Sequence, residues 1–369
     1  MNNKSATELF NEYLQDMGGR LDPSLIPPNT ARVLEHHRNL AEQWIADVKR
    51  EHLPNMPDIH FDYIDSLELN ACAFSAEGRG FIGINAGTVA LIYILFRRML
   101  ADPNILPSIG NVHTELSDPP LFNALQLGAD HSAFLHASII PKDPVRQSYA
   151  HLLAELALDF LFAHEYGHIS NGHVYFNSDT TGQPFIVEIR RGISSGQADL
   201  TSQTLEMDAD CDAVLQGLEK IFGRIRDIGM IREDWRPFYG DFQTAFFTWA
   251  FSFYSLFRLF GSEPINFSEA ESASHPPPSI RRMMAYATAY EILIKRGDEK
   301  LLADFTKVIG DVIGEVERAF AQISGQPINT EGALDGTSPN ARLYASRLLS
   351  HWQVIRPKLE PLAQSNLAP

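Results

Sequence analysis

Residues 160 to 176 read FLFAHEYGHISNGHVYF, with His164 and His168 four apart and Glu165 directly after the first. On an α-helix, positions i and i+4 are neighbours on one face, so both imidazoles point the same way and can hold one cation. The donor types select Zn²⁺, which takes imidazole and carboxylate in a four-coordinate shell. Glu165 is offset by about 100° around the axis, within reach of a water on the ion but off the ligand face. The chemistry of such an HExxH arrangement is hydrolysis: the ion acidifies a water and the glutamate takes its proton. The structural alternative is a helix with two satisfied histidines and a surface glutamate.

A catalytic zinc of this kind needs a third protein ligand and leaves one position for water. Residues 204 to 214, TLEMDADCDAV, place four acids in an otherwise apolar helical stretch, and such groups are costly to bury without a cation. Glu206 and Asp210 are again i and i+4, flanked by Ala209 and Ala213, which permit close helix packing. Glu206 is assigned as the third ligand of a single Zn²⁺. Asp210 is assigned as acceptor for the free ring N–H of a ligand histidine, His164, fixing its tautomer. Asp208 and Asp212 are expected on a solvated face, and Cys211 in the core. His173 competes as third ligand, but an HExxHxxGxxH pattern would have glycine where Asn171 stands and its last histidine one residue later. His173 is therefore expected to support the site through a hydrogen bond near the helix end.

These groups need elements to hold them. Asp143-Pro144 is a strong helix start, and Leu152, Leu153, Leu156, Phe160 and Ala163 recur at helical spacing until Asn171-Gly172 stops the run. Upstream, residues 5 to 53 read as helical, with LPNMPD breaking the pattern. IHFDYI, LNACAF and GRGFIGINAG read as strands punctuated by Glu77-Gly78 and Gly80, and VALIYILFRRML as a helix. Residues 101 to 142, rich in Pro, Gly, Asn and Asp, read as an irregular insertion or lid. A hairpin is expected over 174 to 191 around SDTTGQ, and helices near 200 to 222, 241 to 261 and 279 to 295. The rest of the C-terminal third is mostly helical.

The chain has 369 residues, 44% of them hydrophobic, so a sizeable core is available. A formal net charge of −16 opposes binding to phosphate backbones, so no nucleic-acid partner is expected. Cys72 and Cys211 are the only cysteines, which fits a reducing compartment. The polar start, MNNKSATELFNEYLQDM, has no signal-peptide core, so a cytoplasmic location is expected. The uncharged runs at 80 to 96 and 242 to 257 fall short of the ~20 residues that cross a bilayer and read as core. Oligomeric state is not legible.

HEYGH followed by E-x-x-x-D resembles the gluzincin group of zinc metallopeptidases. HEYGHISNGH, residues 164 to 173, is similar to the HExxHxxNGH form of the CAAX-prenyl-protease and heat-shock endopeptidase family. LNACAFSAEGRGFIGINAGTVALI, residues 69 to 92, is similar to that family's N-A-x-A strand, turn and substrate-side strand. HPPPSIR, residues 275 to 281, resembles its H-P-P-x-x-x-R element, and order and spacing match over about residues 60 to 290. The clear membrane helices of that family are absent or marginal here, so a membrane partner is not expected. A soluble acidic chain with such a core resembles the Lit-type phage-exclusion peptidases, cytoplasmic bacterial enzymes.

The resemblance implies an α+β, predominantly helical fold: a zincin-like core with a small antiparallel sheet packed on the HExxH helix. It would occupy residues 58–295, between an N-terminal helical region, 1–57, and a helical extension, 296–369. It implies an edge strand for substrate, Phe81, Ile82, Gly83, Ile84 and Asn85, to which an extended peptide adds. It also points to His275 and Arg281 as donors to the oxyanion. His275 reads equally well as a helix cap, and Arg281 as partner of an acid such as Asp210. The expected activity is zinc-dependent endoproteolysis of an intracellular protein. An aminopeptidase or small-amide hydrolase, and a non-catalytic protein keeping the metal for folding, are the competing classes.

Overall fold

The computed structural model describes residues 4–51, 56–122, 139–182, 185–188, 200–261 and 264–367. The fold is α+β and mostly helical. Its only sheet among the described residues is built around the turn at Glu77-Gly78, where φ is 49° and 75°. Two successive positive φ values are what a tight two-residue hairpin turn requires. It joins β2 (Ala71–Ala76) to β3 (Arg79–Asn85) in antiparallel register. β1 (Ile59–Ile64) pairs parallel with the other side of β3, and β4 (Phe185–Val187) antiparallel with the outer side of β2. The order is therefore β1-β3-β2-β4.

This topology corrects two expectations. The sheet is mixed and not antiparallel, because residues 65–70 carry the chain over the end of β3 before β2 begins. Asn85 holds that crossing, its side-chain amide donating to Glu68 O at 3.0 Å and its backbone N–H to Asn70 O at 3.1 Å. Secondly, Phe81, Ile82, Gly83, Ile84 and Asn85 do not form an edge. β3 lies between β1 and β2, with Phe81 opposite His60 on one side and Phe74 on the other. Its N–H and C=O groups are used by two neighbours, so no peptide can add to it. The near-continuous burial of FIGIN is that of an interior strand.

The helices are α1 (Ala6–Tyr13), α2 (Pro28–Glu51), α3 (Ala86–Leu100), α4 (Pro144–Ser170), α5 (His173–Thr181), α6 (Leu200–Arg226), α7 (Phe242–Phe260), α8 (Phe267–Ala270), α9 (Pro278–Arg296), α10 (Glu299–Ser324), α11 (Thr330–Asp335) and α12 (Pro339–Leu359). The hairpin expected over 174–191 is instead helix α5 followed by the single strand β4. Thr180 and Thr181 send their hydroxyls back to Phe176 O and Asn177 O, both at 2.7 Å, and so stay helical. Gly182, at φ 71°, then ends the helix.

By contacts the chain forms two units, neither continuous in sequence: Met1–Ala90, Leu161–Ala209 and Leu348–Pro369 in one, Leu91–Phe160 and Asp210–Arg347 in the other. In the first unit the sheet is covered on two faces. Leu9, Phe10 and Leu14 pack with Ile64, Cys72, Phe74 and Phe81 on one. On the other lies the end of α4: a Cβ on Gly80 would stand 2.8 Å from Ile169 Cγ2. Only glycine lets that helix approach β3 so closely. Trp44 of α2 meets α4 as well, edge-on to Phe162 and Tyr166 at centroid distances of 5.5 and 4.4 Å.

In the second unit Asp143 caps α4 by accepting from the N–H groups of Val145 and Arg146, each at 3.0 Å. The residues expected as an irregular insertion lie here, those at 123–138 outside the described set. Residues 100–109 are gathered around Arg146, which is fully buried and donates to five carbonyl oxygens, those of Leu100, Asp102, Ile105, Leu106 and Ile109, at 2.7 to 3.0 Å. A guanidinium has five N–H donors, so one side chain satisfies a whole non-helical turn. The aromatic run of α7 is core, as expected. Among the described residues no helix is long and apolar enough to cross a membrane.

Candidate metal centre

His164 and His168 lie one above the other near the end of α4, both buried, with their Nε2 atoms 3.0 Å apart. Glu206 of α6 faces both: Oε2 is 3.3 Å from His164 Nε2 and Oε1 is 3.5 Å from His168 Nε2. The ligands of a tetrahedral zinc stand roughly 3.3 Å apart, so two imidazoles and a carboxylate are spaced as one ion would space them. These three residues form one of the described groups able to hold a metal ion, and His164, Glu165 and Glu188 form another. Both groups are fully buried, where carboxylates are stable only if paired, protonated or coordinated. The donor set therefore fits a divalent ion of the imidazole-and-carboxylate class.

Glu188 is absent from the sequence reading. Its placement follows from strand alternation. Phe185 and Val187 pack on the α1 side of the sheet, so Ile186 and Glu188 point to the face that carries α4. The backbone N–H of Glu188 extends the ladder by donating to Ala71 O at 2.9 Å. Its Oε2 then reaches to 3.1 Å from His164 Nε2. The available signal was an acid in phase with the inward positions of F-I-V-E.

The turn after α4 supports His168 from behind. Gly172 takes φ 80° and starts α5 at once, laying the His173 ring beside His168 with 3.0 Å between their Nδ1 atoms. A Cβ on Gly172 would stand 2.8 Å from Leu362, because the C-terminal segment packs across this turn. That segment also caps α4: Gln364 N–H donates to Ser170 O at 2.6 Å, and Ser365 Oγ to Asn171 Oδ1 at 2.6 Å. His173 Nε2 in turn lies 3.1 Å from Asp208 Oδ2, which also accepts from Asn171 Nδ2 at 2.7 Å.

One tautomer assignment satisfies this chain of contacts. With the lone pair of His168 Nε2 turned to an ion, its Nδ1 carries the proton and donates to His173 Nδ1. His173 Nε2–H then donates to Asp208. Asp208 is thus buried and joined to His173, a correction to the solvated face expected for it. The reason is that α6 buries every residue from Gln203 to Asp210, on all sides. Asp208→Asn is expected to weaken metal binding about 10- to 100-fold, as loss of a partner behind a ligand does. Chelator competition measures it, with the more exposed Asp212→Asn as the unchanged control.

The remaining expected site residues lie in the second unit. Arg281 donates to both oxygens of Asp210, from Nε at 2.7 Å and Nη2 at 2.8 Å. Its guanidinium also lies over Phe257, 4.9 Å from the ring centroid. Of the two roles open to Arg281, pairing with Asp210 is the one seen. Asp210, expected to accept from His164, directs both oxygens to this arginine. The pair is buried and bidentate, so Arg281→Met should destabilise the protein by about 3–5 kcal/mol by stranding the Asp210 charge, measurable by denaturant unfolding. His275 lies before α9, whose N-cap is Pro277, so it is not the helix cap. Its Nδ1 is 2.7 Å from Ser274 Oγ.

Cys72 belongs to the first unit and is buried. Burial, and then the charge of Glu165, push its thiol well above the ordinary range. It stays protonated and offers no competing nucleophile. No family model matches this chain, and neither does any curated protein or solved structure.

Proposed function

We propose that the chain is a zinc-dependent endopeptidase with a zincin-like core, acting on a protein or peptide inside the cell. One observation carries this reading: the Nε2 atoms of His164 and His168 stand 3.0 Å apart with Glu206 facing both, and Glu165 sits beside them in the same buried place. The gluzincin-like order of HEYGH, the acidic helix and HPPPSIR adds to it. A bound ion would supply Lewis-acid polarisation of the scissile carbonyl and a lowered pKa for water.

His164, His168 and Glu206 are the residues to hold that ion. Glu165 Oε takes a proton from the attacking water as its oxygen bonds to the carbonyl carbon. The same carboxyl returns the proton to the leaving nitrogen as the C–N bond breaks. His173 and Asp208 keep His168 in the ligating tautomer. Arg281 in this reading anchors α6 through Asp210. Since β3 is interior, the peptide is assigned to the outer side of β4, which no described strand pairs with.

The test is metal content by mass spectrometry together with mapping of new protein N-termini in cells expressing wild type and Glu165→Gln. Internal cleavages present only with wild type support an endopeptidase, and stepwise trimming of N-termini would assign an aminopeptidase. Absence of bound metal from the wild-type protein would end both.

A further inference from the structure

We infer that Glu188 is a fourth protein ligand of the resting ion, occupying the position that hydrolysis needs for water and the scissile carbonyl. The chain would then rest closed and turn over only when substrate moves this carboxylate aside. The inference builds on the metallopeptidase reading and goes beyond it.

The side of approach is the first argument. A carboxylate that supports a ligand histidine sits on the nitrogen turned away from the metal, as the His173–Asp208 pair does for His168. Glu188 does the opposite. Its Oε2 is 3.1 Å from His164 Nε2, the same atom that faces His168 at 3.0 Å and Glu206 at 3.3 Å. His164 belongs to two metal-capable groups, one with His168 and Glu206 and one with Glu165 and Glu188, and a ring nitrogen has one lone pair, so an ion on His164 Nε2 would come to Glu188 by a turn of that side chain.

Charge is the second. Glu165, Glu188 and Glu206 are each under 5% exposed, and the ligand atoms of His164, Glu165 and Glu188 lie within 4.8 Å of one another. Carboxylates so close repel unless a cation or a shared proton lies between them. A divalent ion held by Glu188 and Glu206 would balance the charges of those two carboxylates.

The third is what can move. The Glu188 backbone is held to β2 through Ala71 O, so displacement is a rotation of its side chain alone. No covalent bond would change: with His164, His168 and Glu206 holding the ion, withdrawal of Glu188 would leave a position for water or a carbonyl oxygen. Four protein ligands are the mark of a closed centre, and three of an open one.

Cobalt substitution tests this without relying on activity. Wild type, Glu188→Ala and Glu188→Gln are loaded with Co²⁺, and the visible spectrum, chelator-competition affinity and response to acetohydroxamate are recorded. Loss of the fourth ligand is expected to lower metal affinity at least about tenfold. It should also let acetohydroxamate bind at least tenfold more tightly than in wild type. Equal affinities, spectra and hydroxamate responses in all three proteins would overturn the role of Glu188 and leave the three-ligand reading intact. A wild type that binds no Co²⁺, or a Glu206→Gln variant that binds it as tightly, would bring down the parent reading instead. If Glu188→Ala does not fold, Glu188→Asp keeps the charge, shortens the reach and reads the same quantities with the same expected losses.

Discussion

Glu165→Gln is expected to lower kcat/KM on a mapped cleavage-site peptide by about 10²–10⁴-fold with metal content unchanged, the range a positioned general base contributes. The argument is local. Glu165 follows the ligand His164 directly, so it projects off the ligand face of α4 while its carboxylate stays among the atoms that surround the ion site. Glutamine has the same length and burial but takes no proton. The loss should fall in kcat, since the substitution leaves the residues that would hold the peptide untouched. Undiminished hydrolysis by a metal-loaded Glu165→Gln protein would remove the glutamate from the mechanism.

Removing the ion is expected to have the second large effect, and on stability as well as activity. In the first unit α4, α6 and the residue after β4 bring imidazoles and carboxylates into two buried groups that share His164. Without a cation those charges are left to repel or to bind protons. A ligand present at about 1,000 times its Kd stabilises the folded state by about 4 kcal/mol, and chelation takes that away. The thermal midpoint should therefore fall on chelation and return on adding Zn²⁺. Glu206→Gln should abolish that response, because one neutral oxygen then stands where both histidines need an anion. Activity lost on chelation with the circular-dichroism spectrum of the folded protein retained would favour a catalytic ion. Cooperative unfolding on chelation would favour an ion kept for folding alone.

The interior position of β3 bears on how substrate could be read. An exposed edge is the simplest peptide receptor a sheet offers, and this sheet has only its flanks to give. β4 is three residues long, and Glu188 follows it at once. Under the proposed reading, a peptide lying along that strand would pass the Glu188 carboxylate, which would join substrate docking to opening of the centre.

What the chain states by itself is local. Helical periodicity and capping residues place α4 between Asp143-Pro144 and Asn171-Gly172, because those signals act within a turn or two of the backbone. The same periodicity puts His164 and His168 on one face and makes an acidic helix at Glu206 expensive without a partner. Other contacts join residues far apart in sequence: β1 beside β3, the C-terminal segment over Gly172, Asp208 behind His173, and Glu188 against His164. Alternation reads the same in an edge strand as in an interior one, and an acid on a helix reads the same whether it meets water or a histidine. Pairing order and burial are set by which surfaces meet when the core closes. The tertiary structure therefore decided which carboxylates face His164, while the sequence determined that His164 and His168 share one helix face.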